Sequence, residues 1–175
     1  MKLFKQSLSS LLIIGAMMTF AQAENGTVVV GASITDNSCT VPANQINQQI
    51  NIGAITPETL TAASNGEIVR TKPIVFDFTN CPNTFTNVGI EFDYPEDTAQ
   101  AQYMENTGSA EGVLLGITDS SGTAVPKNGR VMSDNFDANA GTGTVTAQVS
   151  AYRVGTEAPG AGSIESVATI TVVNQ

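Results

Sequence analysis

The sequence predicts an all-β protein, an antiparallel sandwich, and three observations carry that prediction. Short segments alternate apolar and polar residues with a period of two. Turn chemistry separates them at intervals of roughly 8 to 20 residues. No run of useful length repeats with the helical period. Charged residues make up only 13% of the chain. The polar surface is written instead in Thr, Asn, Ser and Gly, as expected of exposed strand faces and turns.

The chain opens with Lys2 and Lys5, an apolar run through residues 8–20, and Ala21-Gln22-Ala23. This is the pattern of a secretory signal peptide, residues 1–23, with cleavage predicted between Ala23 and Glu24. Its uninterrupted apolar core, residues 11–18, is well short of the roughly 20 residues a membrane span requires. No second long apolar run follows, so the mature chain is expected to have no membrane span and to be exported. Removing 23 of 175 residues leaves 152, one domain. Losing Lys2 and Lys5 leaves five basic against sixteen acidic residues, a charge of −11. That balance argues against nucleic acid and anionic membrane surfaces as partners.

The predicted strands follow in order. Residues 24–34 place Val28, Val30, Ala32 and Ile34 on one face and Thr27, Val29, Gly31 and Ser33 on the other. Ile46, Gln48, Ile50 and Ile52 alternate with Asn47, Gln49 and Asn51. Residues 56–67 read as loop and turn with one helical turn after Pro57. Ile74, Phe76 and Phe78 alternate with Val75, Asp77 and Thr79, and Val88, Ile90, Phe92 and Tyr94 with Gly89, Glu91 and Asp93, before Pro95 stops the strand. A polar loop spans 96–111. Val113, Leu115 and Ile117 form a strand that turns at Asp119-Ser120-Ser121-Gly122 and returns over 123–126. Asn128-Gly129 marks a turn, and 133–143 a polar loop. In 144–154, Val145, Ala147 and Val149 share a face while Tyr152 and Val154 have the opposite parity, predicting a β-bulge between Val149 and Tyr152. Ala168, Ile170 and Val172 form the last strand.

Cys39 and Cys81 are the only cysteines. In an oxidising compartment they predict a Cys39–Cys81 disulfide. The absence of histidine and tryptophan excludes Ser-His-Asp and Cys-His catalysis and histidine-ligated zinc. Glu91, Asp93, Glu96 and Asp97 raise a calcium site or a glycosidase carboxylate pair. Glu91 and Asp93 lie on the polar face of a strand, however, where solvation accounts for them. Gly141-Thr142-Gly143 precedes no helix that could bind phosphate. Tyr152 and Arg153 raise a glycan contact, with the core the better place for Tyr152. No metal, cofactor or catalytic residue is predicted.

Gly26-Thr27-Val28, then Ile34 and Cys39, Ile50-Asn51-Ile52-Gly53, Phe78-Thr79-Asn80-Cys81-Pro82, residues 115–119 with Ser121-Gly122, and Ala151-Tyr152-Arg153 through Pro159-Gly160 to Ala168-Thr169-Ile170 form an ordered set. Across nearly all of the mature chain this set resembles the structural pilins of the chaperone-usher pathway, type 1 fimbrial subunits above all. The resemblance implies an incomplete immunoglobulin-like sandwich, residues 35–175, completed by a donor strand from the neighbouring subunit. It also implies a periplasmic pilus chaperone and an outer-membrane usher as partners, and a head-to-tail filament of like or related pilin subunits at the cell surface. Residues 24–34 take the part of the donor strand, with Val28, Val30, Ala32 and Ile34 entering the neighbour's groove in the more apolar register and Thr27, Val29, Gly31 and Ser33 in the other. Ala32 falls where the family tends to have glycine. The last strand, through Ile170, Val172 and Gln175, takes the part that faces the chaperone; Asn174 stands where the family often has an aromatic residue.

Two other function classes remain. A secreted carbohydrate-binding or adhesin sandwich acting alone calls for an exposed aromatic platform, for which three tyrosines and no tryptophan leave little. An enzyme calls for a convergent acid-base set, which is missing. The pilin reading expects an isolated chain either to aggregate through an open groove or to complement itself.

Overall fold

The computed structural model describes residues 26–33, 39–156 and 158–175. The predicted cleavage site, Ala23 and Glu24, and Ile34 lie outside them. Among the described residues nine strands form two sheets: β1 (Gly26–Ser33), β2 (Gln48–Gly53), β3 (Ile68–Phe78), β4 (Val88–Asp93), β5 (Val113–Asp119), β6 (Ala124–Val125), β7 (Gly129–Met132), β8 (Gly143–Arg153) and β9 (Glu165–Asn174). One sheet runs β2-β1-β9-β4-β7 and the other β3-β8-β5-β6. The inner faces are those the alternation marks: Val88, Ile90, Phe92, Ala168 and Ile170 from the first sheet meet Ile74, Phe76, Phe78, Val145, Ala147, Val149, Leu115 and Ile117 from the second, all buried. Phe76 and Phe92 join the layers edge to face, with ring centroids 6.2 Å apart. Tyr94 is buried too, and its hydroxyl donates to the Val125 carbonyl at 2.9 Å. Burial pushes that phenol up to about 12, so it stays a neutral donor.

Four local features differ from the sequence reading. A short helix, α1 (Ala43–Ile46), precedes β2, so Ile46 is buried from a helical turn and the strand begins at Gln48. β3 starts at Ile68, five residues before Pro73. Pro73 is tolerated inside it because β3 is a sheet edge and one side of its backbone needs no donor. β7 pairs with β4 where only a turn was expected. The bulge lies on β3: Ile68 pairs with Tyr152 and Arg70 with Ala151, which leaves Val69 extra, while β8 keeps its register against β5. Tyr152 therefore points to the outer face. There Tyr103, Leu114 and Val154 cover it in a second buried cluster, with Tyr103 and Tyr152 ring centroids 4.9 Å apart. The expected helical turn after Pro57 is α2 (Pro57–Ala62), with Pro57 in its first turn and Thr56 capping it by accepting from the Thr59 N–H.

Cys39 and Cys81 form a disulfide, both buried. Beside it Thr40 and Thr79 exchange main-chain hydrogen bonds of 2.7 and 2.9 Å. The bond thus ties the stretch that follows β1 to the end of β3.

Candidate functional site

The feature that distinguishes this sandwich is the slot between β2 and β9. Among the described strands β2 pairs only with β1, and β9 meets β4 on one side and β1 on the other. Without β1 the body, residues 39–175, is one strand short, and its core is open between those two walls. In the isolated chain β1 fills the slot. It runs antiparallel to β2, with Val28 opposite Ile50 and Val30 opposite Gln48. Against β9 it runs parallel over seven residues, from Thr27 opposite Glu165 to Ser33 opposite Thr171.

The slot selects its occupant by shape and polarity. Val28 and Val30 point inward and are 0% and 1% exposed; at about 1.5–3 kcal/mol for each fully buried side chain they contribute on the order of 3–6 kcal/mol. Ile50 and Ile52 from β2 and Ala168 and Ile170 from β9 form the walls with them, all buried. At the mouth Gly26 is buried against Ile52: a Cβ there would lie 2.7 Å from Ile52 Cγ1. Gly31, on the outward parity, has open space around its Cβ position. Ser166 is the one buried polar side chain on the β9 wall, and it donates to the Glu105 carbonyl at 2.7 Å. The loop after β4 thereby braces β9, as do the Thr107 N–H on the Glu165 carbonyl and the Ala110 N–H on the Ser163 carbonyl.

Other predicted site residues are placed as follows. Ala32 stands opposite Ile170 in the β1–β9 register. Ile170 is fully buried, Val172 half-buried, and Gln175 exposed, its main chain held by hydrogen bonds with Asn87 and Thr86. Glu91 pairs with Arg130 at 2.7 Å and Asp93 with Lys127 at 3.6 Å, while Asp97 accepts from the Ala99 and Gln100 N–H groups. These carboxylates are occupied in ion pairs and turns, and among the described residues no group of three or more acidic or cysteine side chains is placed to hold a metal. Sequence reasoning missed Gly26 as a contact residue; its signal was its parity, two residues before Val28 on the inward face.

A two-sheet immunoglobulin-like sandwich whose body lacks one strand, and whose core closes only when an apolar N-terminal strand lies in the gap, defines a class of strand-complemented subunits. The fimbrial protein family model matches residues 26–175, and the chain belongs to that family: it is a structural subunit of a fimbria, and not an enzyme. It is 24% identical over 166 residues to the type-1 fimbrial protein A chain of Escherichia coli, covering 91% of this chain and 88% of that one. It is 26% identical over 127 residues to the probable major fimbrial subunit LpfA, also of Escherichia coli, covering 70% of each. Among solved structures it is similar in fold to the P pilus rod subunit PapA, with a TM-score of 0.57 at 18% identity over 78% of this chain and 99% of that one. A chaperone-usher pilus structure gives a TM-score of 0.60 at 15% identity over 99% of each.

Proposed function

We propose that this chain is exported through the periplasm, handed by a pilus chaperone to an outer-membrane usher, and joined into a surface fimbria by lending residues 24–34 to the slot of the next subunit. The observation that carries the reading is the slot itself: a gap one strand wide, walled by β2 and β9, that accepts Val28 and Val30 at full burial. β9, through Ile170 and Val172 to Gln175, is the wall a chaperone would pair with, since it borders the gap from Glu165 to Thr171. The linkage is head to tail, so it propagates without closing into a ring.

One observation favours a second reading, a self-sufficient secreted sandwich: β1 lies in its own chain's slot. Deletion of residues 24–34 separates the two. The fimbrial reading expects the shortened chain to lose polymerisation, yet to bind a synthetic peptide of residues 24–34 and gain thermal stability from it. A shortened chain that still polymerises, or that ignores the peptide, overturns this role for the strand.

A further inference from the structure

Strand addition is selective only if a subunit offers one place to add a strand. Each sheet has two outer edges, and among the described strands these are β2 and β7 in one sheet and β3 and β6 in the other. β6 and β7 are two and four residues long, too short to template a visiting strand. β3 is the hazard: it runs eleven residues beside β8 alone, and it carries Ile68 and Val75, 38% and 39% exposed. An edge so long and partly apolar invites pairing with another copy. The six-residue edge of β2 lies within reach of it, on the same side of the sandwich.

The β3 edge is closed residue by residue. In an antiparallel strand alternate residues turn their N–H and C=O away from the partner. The Asp77 N–H donates to Gln45 Oε1 at 2.7 Å and the Thr79 N–H to the Thr40 carbonyl at 2.9 Å, so Thr79, Asp77, Val75, Pro73 and Thr71 are the residues turned away from β8. Thr79 is paired, and Asp77 is claimed by a side chain whose Nε2 also donates to its carboxylate at 2.8 Å. Pro73 has no N–H to offer. Val75 and Thr71 are left, with the proline ring between them. Lys72 covers the neighbouring edge. Its partner across the ladder is Val149, a core residue, so it leaves β3 on the inward side; yet it is exposed, and its Nζ donates to the Asn51 carbonyl of β2 at 2.7 Å. A strand added to either edge must displace that ammonium or bury it, and burying an unpaired charge is costly. We infer that Gln45, Lys72 and Pro73 are specificity residues of strand addition: they shut the two longer edges of the sandwich, so that another copy's strand finds only the slot. The inference rests on the fimbrial reading of that slot.

The test opens both edges in the chain beginning at Glu24 with Gln45→Ala, Lys72→Val and Pro73→Thr together. Association is followed by light scattering, with and without an excess of a synthetic peptide of residues 24–34. The peptide fills slots and is expected to suppress association of the unaltered chain. The triple variant is expected to keep a peptide-resistant fraction several-fold larger, and in those oligomers hydrogen exchange is expected to show the Thr71 and Val75 amides protected. A triple variant with no such fraction, both amides exchanging freely, overturns the inference and leaves the slot reading standing. A peptide without effect on either chain counts against the slot reading instead, and protection at Thr71 and Val75 then decides the edge by itself. Circular dichroism and thermal melting check that the triple variant is folded. Should it not be, Pro73→Thr alone carries the test with the same readouts, since it lies at an exposed position and gives up no main-chain donor. Pro73→Thr without peptide-resistant association, its Thr71 and Val75 amides free, then overturns the inference.

Discussion

Single residues at the mouth of the slot set its register. With Ile52 Cγ1 2.7 Å and Cδ1 2.9 Å from the position a Cβ would take at Gly26, a side chain there forces Ile52 to move. Gly26→Val is therefore expected to cost about 1–3 kcal/mol, read as a lower denaturant midpoint at unchanged slope. Gly31→Ala, where the space is open, is expected to be neutral within about 0.5 kcal/mol; equal losses at both sites would refute the steric account. The β5–β6 hairpin shows a second residue-scale effect. Asp119 accepts from the Ser121 hydroxyl at 2.6 Å and from the Ser121 and Thr123 N–H groups at 2.9 Å each. These bonds, the Ser121 hydroxyl first, hold its carboxyl below the usual range. A depressed folded value means the stabilisation is whole above the unfolded value near 3.9 and disappears as pH falls through the folded one. Asp119→Asn is expected to flatten the acid limb of the stability curve below about pH 4; an acid limb as steep as that of the unaltered chain would remove this carboxylate from the explanation.

At the scale of elements, the disulfide does more than close a loop. The Cys39–Cys81 sequence separation of 42 predicts about 4 kcal/mol of stabilisation from restricting the unfolded chain. Replacing both cysteines by serine should lower the melting temperature by about 8–16 °C for a domain of this size, measured by calorimetry; a shift of a degree or two would mean the unfolded chain is already restricted there. Most strands were legible because one face of each is buried: period two marks Ile74, Phe76 and Phe78 or Val88, Ile90 and Phe92 from sequence alone. The elements that escaped lack that contrast. β7 has a single inward residue, Val131, over four positions. α1 is one turn, too short for a helical period to register. From sequence the bulge falls on the wrong strand, because Tyr152 reads as a core residue out of phase, whereas it is an outward residue covered by the loop that carries Tyr103. The inward parity of Val28 and Val30 could be read from the residues. The direction of β1 could not, since alternation reads the same from either end.

At the scale of the whole molecule, a sandwich one strand short links folding to association. In the proposed function the same eight residues close the core from within or, lent outward, close another copy; the isolated chain displays the first arrangement. Between copies, electrostatics oppose the second. The chain carries a formal charge of −9, and a chain beginning at Glu24, without Lys2 and Lys5, would carry −11. Two of the five basic residues beyond residue 23, Lys127 and Arg130, are taken up in ion pairs with Asp93 and Glu91. Like-charged subunits repel over a Debye length of about 10 Å at 0.1 M salt, which shrinks to about 3 Å at 1 M. Self-association of the chain beginning at Glu24 is therefore expected to speed up as salt rises from about 0.05 to 0.5 M, by several-fold in initial rate, while the intrachain seat of β1, built on valines and main-chain hydrogen bonds, stays indifferent to salt. Light scattering for the first and hydrogen exchange at the β1 amides for the second separate the two contributions. A rate that falls with salt would mean that opposite charges meet at the joint between subunits, and that general repulsion between acidic bodies does not govern how fast they join.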